Sequence, residues 1–101
     1  MPRLILLPFA SALAFAVSPG TVYTMTNWSS GNQVIALARD SAGRLGSAQF
    51  YPTGGSGTDF SLGSQGSIVI TPDGRWLIVV NAASNDISVF SIAADGTPLF
   101  A

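Results

Sequence analysis

Serine and aspartate are the abundant side chains in this sequence that could act as nucleophile, acid or base, so its chemistry can be judged from what accompanies them. The 101 residues include no His, Cys, Lys or Glu; the ionisable groups of fixed sign are Arg3, Arg39, Arg44 and Arg75 and Asp40, Asp59, Asp73, Asp86 and Asp95. Serine-based hydrolysis needs a neighbouring base to take the hydroxyl proton, and neither an imidazole nor an amine is present to do so. An aspartate could in principle serve, with Arg39, Arg44 or Arg75 holding a developing anion, but Arg75 directly follows a turn and reads as a solvated edge residue. Zinc is excluded by the lack of His and Cys. Calcium loops place acids at alternate positions, whereas these five are isolated, and four of them sit in turns where Asp is favoured for bonding its own backbone. Glycines at 54, 55, 57, 63 and 66 suggest a phosphate-cradling loop, yet no Gly-Lys-Ser or Gly-Lys-Thr follows and no helix N-terminus is available to receive the anion. No catalytic, cofactor-binding or metal-binding residue is assigned, and no cofactor is expected.

Two further features invite a functional reading. Asn27-Trp28-Ser29 is an Asn-x-Ser sequon, a glycosylation acceptor at Asn27 if the chain is exported. A turn role competes with it, because Asn27 aligns with Asn81, 54 positions on, where there is no sequon. Of the two tryptophans, Trp28 lies in a polar stretch and is the expected exposed aromatic, and Trp76, inside an apolar run, is the expected core residue.

Composition bounds the partners. Apolar residues make up 48% and charged residues 9%, with a net charge of −1. Without a basic stripe, nucleic acid and acidic membrane surfaces are poor partners. So little charge also implies apolar surface that something else covers. The absence of cysteine excludes disulfides and thiol catalysis but does not select a compartment. At the N-terminus, Arg3 precedes an apolar run to Val17 that ends in Ala14-Phe15-Ala16. This pattern matches a secretory signal peptide over residues 1–16, and it predicts a secreted chain with no membrane segment in its mature form. A second reading stays open: aligning Val17-Ser18-Pro19 with Ile70-Thr71-Pro72 makes residues 15–17 a first strand instead.

From Thr21 onward the pattern is strand and turn, without helical periodicity. Residues 22–26, 34–38 and 45–51 read as strands of one unit, and residues 68–70, 76–80 and 87–92 as strands of another. The run 76–80 is apolar at successive positions, which predicts burial on both faces. Pro72-Asp73-Gly74 suits a tight turn between strands, and Asp95-Gly96 marks another. Asn32 and Asn85 are 53 positions apart, as are Gly43 and Gly96, and a repeat near 50 residues with about four strands per unit is the signature of propeller blades. The expected organisation is a first, partial blade over 17–51, a glycine-rich surface loop over 52–66, and a second blade over 67–101 that stops within its last strand. Asn27, Asn81, Asn85, Pro72, Asp73 and Gly74 are expected to build the blade turns.

The stretch TPDGRWLIVVNAASNDISVFSI resembles the YVTN-type repeat, and with VYTMTNWSSGNQVIAL, PTGGSG and LGSQG the pattern is similar to the lactonase-like seven-bladed β-propellers. Those relatives include 6-phosphogluconolactonase-like and 3-carboxymuconate cyclase-like proteins, among them a secreted fungal and bacterial branch. The resemblance covers residues 21–100. It implies an all-β partial propeller of about two antiparallel four-stranded blades whose ring is not closed. Its partners would be the remaining blades, or further copies joined through exposed blade faces. Active members of such a family are expected to use His, Glu and Arg around the central channel, and this sequence offers no His or Glu to carry those roles. The resemblance therefore implies a structural or binding piece of a larger propeller. The alternative it leaves is part of a lactone-hydrolysing or muconate-cyclising enzyme whose catalytic residues lie in other blades.

Overall fold

The computed structural model describes residues 19–63 and 66–101. The N-terminal run, read above either as a signal peptide or as a first strand, lies outside the described residues. What is described is all β. Strands β1 (Gly20–Met25), β2 (Gln33–Arg39) and β3 (Leu45–Pro52) form one antiparallel sheet. Strands β4 (Ile68–Ile70), β5 (Trp76–Asn81), β6 (Asp86–Ile92) and β7 (Pro98–Phe100) form a second, and each strand pairs with its neighbour in sequence. Neither sheet closes on itself. The first sheet therefore has three described strands rather than four, and the counterpart of β4 would fall at residues outside the description.

The hairpins follow from short-range chemistry. Three turns, Asp40-Ser41-Ala42-Gly43, Thr71-Pro72-Asp73-Gly74 and Ala93-Ala94-Asp95-Gly96, each close with the glycine N–H donating to the carbonyl of the first residue, at 2.9, 2.8 and 2.9 Å. Each glycine has a positive φ (84°, 72° and 90°), a conformation that costs other L-residues steric strain. The Asp side chains lock the turns from inside. Asp40 accepts the N–H groups of Ala42 and Arg44, Asp73 that of Arg75, and Asp95 that of Thr97.

These turns also set the repeat. Strands β2 and β6 are 53 positions apart at both ends, and so are Leu45 and Pro98, which begin β3 and β7. Across the pairs Met25 with Val34 and Val80 with Ile87, this register makes Met25 the counterpart of Val80. Thr26, whose N–H bonds to the carbonyl of Gln33, then corresponds to Asn81, opposite Asp86. The expected equivalence of Asn27 with Asn81 is thus corrected: Thr26 takes that place, because the first loop, 27–32, is two residues longer than the second, 82–85.

The core lies between the two sheets. Val34 of the first sheet and Leu77, Val79 and Phe90 of the second are fully buried, with Tyr23, Met25, Tyr51, Ile68 and Ile92 packed around them. Each of the four buried side chains contributes roughly 1.5 to 3 kcal/mol. In β5 the buried positions alternate, and Trp76 is 39% exposed. The expectation that Trp76 is core and that this strand is covered on both faces is not met, since only one face of each sheet has a partner within the described residues. Position for position, Val34 corresponds to Ile87, which lies on the face of the second sheet opposite Leu77 and Val79. The sheets therefore stack front to back, as successive blades do.

Candidate functional site

Asn81, at the end of β5, is completely buried together with Asn32 and Thr53. A buried amide is tolerated only when its hydrogen bonds are satisfied, and here three separate segments do so. Asn32 Nδ2 donates to Asn81 Oδ1 at 3.0 Å, and the Thr53 hydroxyl sits 2.8 Å from the same oxygen. Asn81 Nδ2 donates to Ser88 Oγ at 2.9 Å, and Ser88 Oγ donates to the Thr53 carbonyl at 2.8 Å. The result is a polar clasp that ties β5 and β6 to the start of β2 and the end of β3.

The glycine-rich segment after Thr53 is a strap pressed between the sheets. Its expected reading as a surface loop is corrected for Thr53, Gly55 and Gly57, all buried. A Cβ on Gly55 would lie 2.4 Å from the Asn81 side chain, and one on Gly57 2.2 Å from the Asn27 carbonyl carbon. These glycines are required by close approach, not by flexibility. Asn27, at φ 56°, holds the far part of the strap. Its Nδ2 donates to Thr58 Oγ1 at 3.0 Å and to the Phe60 carbonyl at 2.7 Å, and its Oδ1 accepts the Thr58 N–H at 3.0 Å. Both Nδ2 protons, one of which an N-linked sugar would replace, are used within the fold.

Asp59 completes this contact. Ser29 Oγ donates to Asp59 Oδ2 at 2.5 Å and the Ser29 N–H donates to Oδ1 at 2.7 Å. The Ser29 hydroxyl, followed by its N–H, holds the Asp59 carboxyl below the ordinary carboxylate range. That opposes general-base catalysis, which needs a carboxylate raised toward neutrality. The serine and acid here lock a loop. The same holds for Asp40, lowered first by the Arg44 N–H, for Asp73, lowered first by the Thr71 hydroxyl, and for Asp95, lowered first by the Thr97 N–H. Tyr23 shifts the other way, raised by burial, and its hydroxyl donates to the Gly96 carbonyl.

Two open cavities lie apart from the clasp, the second at the opposite end of the strands. One of about 630 Å³ is lined by Thr24, Met25, Asn27, Asp59, Phe60 and Ile68, and one of about 750 Å³ by Tyr23, Arg39, Ile70, Ile92 and Asp95. Among the described residues, no three His, Cys, Asp or Glu side chains gather where a metal ion could be held.

The residues singled out from the sequence are dispersed. Asn81 is in the buried clasp, Asn27 on the strap, and Asn85 (φ 57°) at the exposed turn between β5 and β6. Pro72, Asp73 and Gly74 form the exposed β4–β5 turn. Trp28 is 47% exposed and stacks on Phe50, with ring centroids 6.3 Å apart. The sequence marks Asn32 only as the repeat counterpart of Asn85 and does not mark Thr53 or Ser88; the nearest signal for the clasp is the alternation of Gly55 and Gly57, which suits a backbone lying against another chain segment.

No curated protein and no solved structure matches this chain. Residues 12–100 match the family model described as lactonase, 7-bladed beta-propeller. With two antiparallel sheets stacked front to back in a 53-residue repeat, that match assigns the chain to the seven-bladed lactonase β-propeller family.

Proposed function

We propose that this chain acts as a two-blade sector of a lactonase-family propeller, a structural and binding module without catalysis of its own. The observation that carries this reading is the pair of open sheet faces. Val22 on the first sheet and Val69, Trp76 and Ile87 on the second are each more than a third exposed, although they continue the apolar pattern of the covered faces. Contiguous apolar faces of this kind call for a partner, and further blades are the partner whose shape they fit. The acids support the same reading, since four of the five are held below the ordinary carboxylate range by their own turns and loops.

The test is lactone hydrolysis by the purified chain, followed by titration of released acid with a sugar lactone as substrate. The module reading expects no rate above spontaneous opening. A rate that disappears in Asp59→Asn would overturn it. Family membership favours a second reading, in which a longer product carries lactone-hydrolase or 3-carboxymuconate cyclase-type activity with its acids and bases in other blades. That reading expects transcripts in which the 53-residue repeat continues and brings His and Glu.

We also propose that the chain is secreted, as in the secreted branch of such propellers, on the strength of the basic and apolar N-terminal run ending in Ala14-Phe15-Ala16. Against it stands the start of the family match at residue 12, ahead of a cleavage after Ala16. N-terminal sequencing of the exported protein should begin at Val17, and a mature chain that retains residues 1–16 would overturn the proposal.

A further inference from the structure

The contact between the two sheets is a template for one more. The first sheet meets the second through Met25 and Val34, and in the repeat register these correspond to Val80 and Ile87. Ile87 is 59% exposed and Val80 is half-buried, so the second sheet displays, uncovered, the counterpart of a surface that is covered on the first. The converse also holds. The second sheet meets the first through Leu77 and Phe90, whose counterparts on the first sheet are Val22 and Leu37, on its uncovered face. One chain thus carries both halves of the contact it already makes internally, each half open.

Resting on the reading of the chain as a propeller sector, we propose that the open face of the second sheet around Val80 and Ile87 docks a second copy of this chain. That copy seats its first-sheet face around Val22 and Leu37 there, head to tail. A partner of unrelated chemistry would account for one open face. A second copy accounts for both, because each is the repeat counterpart of a surface already paired within the chain. The contact is heterologous, joining unlike faces, so copies can add in series and close into a ring if the rotation per copy permits.

The experiment is size-exclusion chromatography with light scattering on the full chain, the mass of one copy being 10.4 kDa. The wild type should run above one copy and dissociate on dilution. Val22→Asp and Ile87→Asp replace exposed side chains on opposite halves of the contact, and each alone should run as one copy. Mixed in equal amounts, they should form a complex of one of each, because Val22→Asp keeps an intact second-sheet face and Ile87→Asp an intact first-sheet face. A one-copy wild type, variants that still associate alone, or a mixture that stays at one copy would each overturn the proposal. Circular dichroism reports whether each variant keeps its β content, and Thr24→Asp with Ile87→Asn repeats the cycle where one does not. Lactone turnover by the purified chain would overturn the module reading and leave these masses unaffected. A failed mixing experiment with the fold intact removes the docking and leaves the module reading in place.

Discussion

The amide of Asn81 touches three side chains from three segments, and none of them can reach water in exchange. Truncating it removes one hydrogen bond each from Asn32 Nδ2, the Thr53 hydroxyl and the Ser88 hydroxyl, which keep the carbonyls of Val80, Asn32 and Thr53 as acceptors. With three hydrogen bonds lost at about 0.5 to 1.5 kcal/mol each, Asn81→Ala should cost on the order of 3 kcal/mol, read as a fall in the urea midpoint. Asn85, exposed and at φ 57°, is a contrasting case: Asn85→Gly should change stability by less than about 1 kcal/mol, since glycine adopts that conformation freely. The carboxylates set the response to acid. Asp40, Asp59, Asp73 and Asp95 all titrate lower in the folded chain than the value of about 3.9 expected when unfolded. Below that value the unfolded state takes up protons first, so their contribution is complete above about pH 4 and is lost as pH falls through the folded values. Urea midpoints should be flat between about pH 7 and 5 and drop below about pH 4; a midpoint that rises on acidification would contradict the assignment.

Among the elements, the strap of residues 53–63 departs furthest from its sequence pattern. Its glycines differ in what they face, and substitutions should separate them. Gly57→Ala drives a methyl into the Asn27 backbone, where nothing can give way, and should cost at least the roughly 1 to 3 kcal/mol typical of overpacking. Gly54 has φ 84° but open space around it, so Gly54→Ala should cost only the strain of the backbone, about 1 kcal/mol. Thermal unfolding of the two variants should rank them in that order, and equal losses would show that the strap is not packed as described. The hairpins, by contrast, were legible beforehand. Gly43, Gly74 and Gly96 each end a four-residue turn, and the strands between them are runs of β-branched and aromatic residues of ordinary length. The strand ends observed lie within two residues of those expected and differ where pairing with a neighbour, not composition, decides where a strand stops.

At the scale of the whole molecule, the governing fact is that among the described residues each sheet has one covered and one open face. Trp76 shares the open face with Val80, and Trp28 stacks on Phe50 beside the strap, so both tryptophans are accessible in a single copy. Acrylamide should quench both in dilute solution. Under the head-to-tail arrangement, raising the concentration should shield Trp76 and shift its emission to the blue, a change absent from Ile87→Asp. A Trp28→Phe variant isolates that signal, and an unshifted spectrum at concentrations where the mass has risen would place the contact elsewhere.

Strand, turn and repeat were determined by the sequence alone. They rest on interactions within a few residues: the fixed φ of Pro72, the positive φ of the turn glycines, the Asp side chains bonding to the next N–H groups, and β-branched runs between them. Tertiary structure decided which face of each strand is covered. It also placed Thr26, not Asn27, in register with Asn81, and joined Asn32, Thr53, Asn81 and Ser88 in one buried clasp. The reason is physical. A strand's pattern shows that its side chains alternate, but burial of either set depends on a surface dozens of residues away. A polar residue such as Thr53 reads as loop until the chain that desolvates it is in place.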